Sequence, residues 1–397
     1  MSSNGQRGKR ERILIAGAGV AGLEAALALR DLAGDRVEVS LHDPSREFAY
    51  RPFGIGEPYG TTRVFRYGLR SLSELCGGSL HQSAIAAVEP ERRIAVGRNG
   101  EQLPYDQLIV ATGARMLWCV PGAVTYWGVA DEGQVGDLMA DLRLGRLRRL
   151  AFTMPPGHSW VLPLYELALL AANVLNKTAN TRTQITVVTP EAAPLEIFGS
   201  RAAEQTSALL AERQIEVIAG ARPISVAEGR LRVHPGEDVE ADAVIALPRL
   251  EGSRIDGIPC DENGFIAIDE HGGVVGLERT YAAGDVSSLF FKQGPFASQQ
   301  ADAVAEAIAA GLGVGVKPSA ASRQMQAVLW TAQGPRYLCA GNGSVGESAS
   351  SPSRRHLEIL HNGRLTARYL SPLVDALLAS SVSHLADHGA TGEPQRI

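Results

Sequence analysis

The chain has 397 residues, 45% of them hydrophobic and 20% charged. That is globular material long enough for two or three cores, and it excludes a single small module. A formal net charge of -5, with Lys and Arg spread rather than massed, leaves no electrostatic footprint for nucleic-acid binding. Cys76, Cys119, Cys260 and Cys339 lie far apart, without the paired spacing of a zinc site or a dithiol. No metal is expected, and a reduced, cytoplasmic chain is.

The start resembles a secretory leader, with Arg7 to Arg12 followed by apolar Ile13 to Ala16. Glycines at 17, 19 and 22 and the acidic Glu24 argue against that reading. No apolar run of about 18 residues exists for a membrane span, so a soluble protein is expected, with peripheral membrane contact left open.

In chain order the pattern predicts a strand at Ile13–Ala16, a glycine turn, a helix at Leu23–Leu32 and a strand at Val37–Leu41 that closes on His42 and Asp43. Phe48 to Gly60, rich in Pro, Gly and aromatics, reads as a loop. Strands follow at Ile85–Val88, Arg93–Gly97 and Leu108–Ala111. A second α/β run repeats the order: strand Leu150–Met154, helix Leu164–Asn176, strand Ile185–Thr189, helix Ala202–Gln214, and strands Glu216–Ile218 and Ala243–Leu247. Thr280 to Gly311 has a strand, a Gly-Asp turn and an alanine-rich helix that is expected to return to the first sheet. Beyond Pro318 a mixed tail holds a Ser/Gly-rich loop, Gly341 to Ser353, and a helix at Leu373–Leu385.

Gly17-Ala18-Gly19-Val20-Ala21-Gly22 is a G-x-G-x-x-G between strand and helix, with Asp43 about 20 residues on. In such a turn Gly17 permits the bend, Gly19 lets the backbone approach a pyrophosphate and Gly22 allows close helix–strand packing. The helix N-terminus offers N–H donors to the phosphates, and Asp43 accepts from a ribose. The motif alone does not separate FAD from NAD.

Ala111-Thr112-Gly113, together with Thr280 to Asp285 ending in Gly284-Asp285, resembles the later FAD signatures of pyridine nucleotide-disulfide oxidoreductase-like flavoproteins. Within that superfamily the chain looks most like the branch of sulfide:quinone reductases, flavocytochrome sulfide dehydrogenases and type II NADH dehydrogenases. Arg51-Pro52 and Glu57-Pro58, the segment Pro155 to Leu170, and Phe291-Lys292-Gln293-Gly294 carry that likeness. The resemblance implies an α/β fold of two Rossmann-like dinucleotide-binding domains with a smaller C-terminal α+β region. The expected division is an FAD-binding domain split between 12–118 and 252–318, a second, NAD-binding-like domain at 119–251, and a C-terminal region at 319–397. It further implies that FAD is held by Gly17, Gly19, Ala21, Gly22, Asp43, Arg51, Ala111, Thr112, Gly113, Gly284, Asp285 and Lys292. A helix starting near Ala297 is expected to point its N-terminus at the flavin.

Two departures matter. Where pyridine-nucleotide users carry a second glycine fingerprint, this chain has Pro155-Pro156-Gly157-His158-Ser159-Trp160, which removes two N–H donors. Where sulfide oxidisers of the branch hold a reactive cysteine, it has Trp160, and Cys339 has no evident mate for a sulfur relay. By resemblance the catalytic candidates are Lys292, a cation for an anionic reduced ring, and Glu166, a proton carrier near the flavin or else a carboxylate favoured by its helix dipole. His158 is either a proton carrier or a turn residue. Trp160, Tyr165, Phe290, Phe291 and Phe296 are either an aromatic acceptor pocket or packing.

The expected activity is two-electron reduction of FAD by a small-molecule donor and reoxidation by a quinone or another small acceptor. The alternatives are an NAD(P)H-dependent flavin reductase and a non-catalytic flavin-binding redox sensor or subunit. A homodimer is left open.

Overall fold

In the computed structural model the described residues are 9–62, 64–128, 133–157, 160–179, 182–321, 325–331, 334–340 and 367–388. The chain opens with β1 (Glu11–Ala16), α1 (Val20–Ala33) and β2 (Val37–His42). A hairpin follows, β3 (Glu47–Tyr50) and β4 (Phe65–Gly68), its arms joined through a 3-10 stretch at Arg51–Tyr59. After α2 (Leu69–Leu75) and β5 (Ser79–His81), an antiparallel sheet of β6 (Ile85–Glu89), β7 (Ile94–Gly97) and β8 (Gln102–Pro104) precedes β9 (Gln107–Val110). The crossing strand β10 (Ala114–Leu117) leads to β11 (Val124–Thr125), α3 (Gln134–Arg143), β12 (Arg149–Thr153), α4 (Leu162–Lys177), β13 (Gln184–Val188), α5 (Ser200–Glu212) and β14 (Ile215–Ile218). A small antiparallel sheet, β15 (Arg222–Ala227), β16 (Arg230–His234) and β17 (Val239–Glu240), comes before β18 (Ala243–Ala246) and β19 (Arg249–Gly252). Last are β20 (Thr280–Ala282), α6 (Gly294–Gly311), the hairpin β21 (Met325–Thr331) and β22 (Gly334–Ala340), and α7 (Leu370–His388).

Two five-stranded parallel sheets result, ordered β20-β9-β1-β2-β5 and β11-β18-β12-β13-β14. The strand that opens each α/β run, β1 or β12, sits in the middle of its sheet. Ile13, Leu14, Ile15 and Ala16 are all buried, as a central parallel strand with helices on both faces requires. The chain leaves the first sheet along β10 and returns along β19, which pair antiparallel. β20 then pairs with β9, so the Thr280 segment does rejoin the first sheet.

Several local expectations are corrected. Phe48 to Gly60 is not a plain loop: Phe48 to Tyr50 lie in β3, and the rest winds as the 3-10 stretch, where Ile55 and Tyr59 are buried. Tyr59 Oη donates to the Leu167 carbonyl at 2.6 Å, tying this stretch of the first lobe to α4 of the second. Helices α4 and α6 start earlier than expected because Pro163 and Pro295 sit in their first turns, where no intrahelical N–H partner is lost. α3 and the β15–β17 sheet were not anticipated, and Gly341 to Ser353 lies outside the described residues. Among those described, no helix is long and apolar enough to cross a membrane.

Candidate functional site

A cavity of about 430 Å³ runs along the C-terminal ends of β1, β2, β9 and β20 into the seam with the second lobe. Such crevices at the carboxyl ends of parallel strands are where doubly wound sheets take ligands. The glycine turn forms one end. A Cβ on Gly17, where φ is 108°, would lie 2.2 Å from the Ala111 carbonyl oxygen, and one on Gly22 would lie 2.0 Å from that of Gly17. These two glycines are therefore demanded by the fold itself. Gly19 differs, because a Cβ there would meet nothing within 4 Å. The room beside it belongs to the cavity, which Gly19, Val20 and Ala21 line.

Asp43 reaches back to this turn, accepting from the Ala18 N–H through Oδ2 and from Ser45 N–H through Oδ1, each at 2.8 Å. It lines the cavity, and each carboxylate oxygen keeps a second lone pair for a ligand hydroxyl. Across from it, Ala111, Thr112 and Gly113 line the next stretch, with Gly113 left-handed at φ 69°. The Thr112 hydroxyl is buried without a protein partner among the described residues. A buried hydroxyl of that kind calls for a ligand or water.

The two glycine signatures meet physically. At Gly284, φ 85°, a Cβ would stand 3.1 Å from the Ala21 methyl and 3.5 Å from that of Ala297, and its N–H donates to Gln300 Oε1 at 2.6 Å. Any side chain there would push α1 and α6 apart. The start of α6, Gln293 to Pro295, faces the same cavity as the start of α1. Neither helix carries a side-chain N-cap, so both positive dipole ends and their N–H groups are turned to one space.

Charge is gathered at the α6 end. Lys292 is buried, donates to the Ser287 carbonyl and stands 3.9 Å from the centroid of the Phe265 ring. Burial pulls its ammonium down to about 8, while Asp285 and then Asp261 oppose the fall. Burial raises Asp285, and the charges of Lys292 and Arg51 work against that. Arg51, Asp285 and Lys292 thus share one wall.

Glu166 lines the cavity from α4 and is buried. Its Oε1 accepts the backbone N–H of Trp330 on β21 at 2.8 Å. Val328 of the same strand also lines the cavity, as do Met116 and Leu250. No local motif marks them, since they arrive from strands far along the chain. Of the five aromatic candidates only Trp160 lines the cavity, stacked against Tyr126 at 6.5 Å between ring centroids. An aromatic pocket of all five is therefore not formed. Phe291 and Phe296 pack edge-to-face in the core with Phe198, Tyr165 is fully buried, and Phe290 is exposed.

Cys76, Cys119 and Cys260 are free, and none lines the cavity. Burial pushes the Cys76 thiol up to about 12, which keeps it from acting as a thiolate. His158 and the Cys339 side chain lie outside the described residues. In the second lobe, the turn after β12 passes through Pro155, Pro156 and Gly157. Glu191, just past the tip of β13, is turned inward: its Oε2 accepts from Tyr165 Oη and from Thr189 Oγ1.

Two parallel sheets of repeated order, with a glycine turn at the carboxyl end of the first, define the architecture of two Rossmann-like α/β lobes. Residues 165–311 match the family model described as pyridine nucleotide-disulphide oxidoreductase. It is similar to the sulfide:quinone oxidoreductase of the hyperthermophilic bacterium Aquifex aeolicus, with a TM-score of 0.73 at 18% identity over 80% of this chain and 81% of that one. NDH2 from Plasmodium falciparum, in a complex with NADH, gives a TM-score of 0.57 at 18% identity over 72% of this chain and 66% of that one. Putidaredoxin reductase, from a covalent complex with putidaredoxin, gives 0.60 at 19% identity over 81% and 79%. At such identities these likenesses establish the fold.

Proposed function

We propose that the chain binds FAD in its split first lobe, residues 12–118 and 252–318, and passes two electrons from a small-molecule donor to a small acceptor of the quinone type. The observation that carries this reading is the one continuous cavity, which runs from the open space at Gly19 past Asp43 and Thr112 to Lys292. The residues fit a dinucleotide: two uncapped helix N-termini for phosphates, a carboxylate for a ribose, an unpartnered hydroxyl and a buried cation. Bound FAD supplies the two-electron chemistry.

The chain's own residues do the rest. Lys292 and the N-terminus of α6 line the cavity with positive charge and would stabilise a bound flavin that becomes anionic when reduced. The charges of Lys292 and Arg51 oppose the rise that burial imposes on the Asp285 carboxyl. Trp160, Leu162, Met116, Leu250 and Val328 exclude water from the far end and give a flat, apolar acceptor its contact surface. The likeness to a sulfide:quinone oxidoreductase supports a quinone there.

An NAD(P)H-dependent reductase is the second reading, favoured by the repeated parallel sheet of residues 119–251 and by the likeness to NDH2. The same lobe speaks against it. Pro155 and Pro156 remove N–H donors from the turn that would cradle the pyrophosphate, and Glu191 is committed to Tyr165 and Thr189.

The test is an anaerobic absorbance spectrum of the purified protein, before and after NADH, NADPH and sulfide. Flavin bands that none of these bleaches, but that a quinol surrogate or dithionite does, are the expected result. Bleaching by a nicotinamide transfers the donor role to the second reading, bleaching by sulfide alone overturns the thiol argument, and a colourless protein removes the flavin assignment altogether.

A further inference from the structure

Lys292 reaches the cavity wall on a buried side chain, and two groups meet its ammonium there. Nζ donates to the Ser287 carbonyl and stands 3.9 Å from the centroid of the Phe265 ring. Phe265 is wholly buried, whereas Asp285, Lys292 and Gln293 line the cavity at this end. The ring therefore approaches the ammonium from the protein side and leaves the cavity side to a ligand.

The local backbone brings both groups there together. Ile266 and Ser287 form a parallel bridge, in which the Ile266 N–H donates to the Val286 carbonyl at 2.9 Å and the Ser288 N–H to the Ile266 carbonyl at 2.8 Å. Phe265 is thereby held one residue from the rung that carries Ser287. Its own N–H donates to Asp261 Oδ1 at 2.8 Å, and its carbonyl accepts from the Asp261 N–H at 2.9 Å, closing a tight loop. That loop is pressed onto the end of β19, where a Cβ on Gly252 would lie 2.0 Å from the Gly264 carbonyl oxygen. The ring is thus fixed from three sides before the lysine meets it.

We propose that Phe265 is the positioning residue of Lys292, its ring face holding the buried ammonium as a cation at the cavity wall. The inference rests on the flavin reading only for what that charge acts on. An aromatic face is negative, and its attraction for a cation grows when water is kept from both. A saturated side chain of similar size would fill the same space and supply no such attraction. The charged groups around the ammonium are Asp285, Asp261 and, beyond Asp285, Arg51. Burial brings the ammonium down to about 8 against the two carboxylates, and the ring works on their side. Phe265 accordingly sets how far up the pH scale this wall stays positive.

The experiment follows Lys292 directly, by NMR titration of lysine side chains in the carbon-13-labelled full chain. The chain has four lysines, so the signals are few, and Lys292→Met identifies the one that is wanted. A ring-trifluorinated phenylalanine placed at position 265 keeps the shape of the ring and removes most of the negative charge from its face. With it, the Lys292 titration should move down by on the order of one pH unit, a tenfold loss of proton affinity, and Phe265→Leu should move it likewise. A fluorinated protein that titrates Lys292 where the wild type does overturns the proposal. Should Phe265→Leu fail to fold, the fluorinated ring decides alone. The readout needs no flavin chemistry, so this inference and the flavin reading fail separately. A shifted Lys292 titration with an unchanged pH profile of the flavin midpoint potential upholds the role of Phe265 and removes the flavin as what the charge acts on.

Discussion

Glu166 of the second lobe holds the backbone N–H of Trp330 at 2.8 Å, joining α4 to the β21 strand that walls the cavity. Removing the carboxylate leaves a buried amide without its acceptor, which costs about 1–3 kcal/mol. Glu166→Ala should therefore lower the Tm of the purified protein measurably, whereas Glu166→Gln, which keeps a carbonyl oxygen, should lose much less. Equal losses for the two would show that the charge, rather than the acceptor, is what the site uses.

The glycine turn separates folding from binding. A methyl on Gly22 collides with the Gly17 carbonyl, and one on Gly17 with the Ala111 carbonyl, so Gly22→Ala and Gly17→Ala should yield little folded protein. At Gly19 a Cβ meets nothing within 4 Å, so Gly19→Val should fold normally, yet fill the room beside the start of α1. The expected outcome is a Tm close to that of ligand-free wild type with flavin absorbance per mole of protein largely lost. Retained flavin in Gly19→Val would move the phosphates away from this turn.

Much of this turn was legible in the sequence because its constraints are local. Gly17, Gly22 and Asp43 lie within one β-α-β unit, and the backbone approaches that demand them are set by that unit and by its neighbour β9. The meeting of Ala21 with Gly284 was readable only through resemblance, since nothing local to either residue names the other. The cavity's second-lobe wall was not readable at all. Val328 and Trp330 are ordinary apolar residues in a hairpin, and only tertiary packing of β21 against α4 gives them a place beside Glu166. Phe291 and Phe296 took the packing alternative that the sequence allowed, because an aromatic next to a functional lysine packs into the core as readily as it lines a pocket.

Lys292 gives a prediction with a pH signature. Burial brings its ammonium down to about 8, so it is charged below that value and neutral above it. Reduction of the bound flavin should accordingly become harder as pH rises through about 8, beyond the slope that the flavin's own protons impose. In Lys292→Met the midpoint potential should be lower at neutral pH and the inflection near 8 should vanish. Spectroelectrochemical titration of the two proteins between pH 6 and about 9.5 checks both. An inflection that survives in the variant would belong to another group.

Glu191 supplies the last prediction, and it concerns stability. Burial raises its carboxyl to about 7, against the hydrogen bonds from Tyr165 and Thr189, which lower it. A folded-state value above the unfolded one means that the folded protein binds the extra proton. The associated stability is fully present below the ordinary glutamate value, falls as pH rises, and is lost once pH passes about 7. Glu191→Gln is neutral at every pH and keeps a carbonyl oxygen for the Tyr165 hydroxyl. Its Tm should match that of the wild type near pH 5 and exceed it near pH 8, the gap opening between those values. If the wild type and Glu191→Gln instead melt in parallel across that range, the carboxylate is already ionised and Tyr165 is its full compensation. In that case Glu191 would carry charge at the tip of β13, and the case for a nucleotide ribose there would be stronger than the buried geometry suggests.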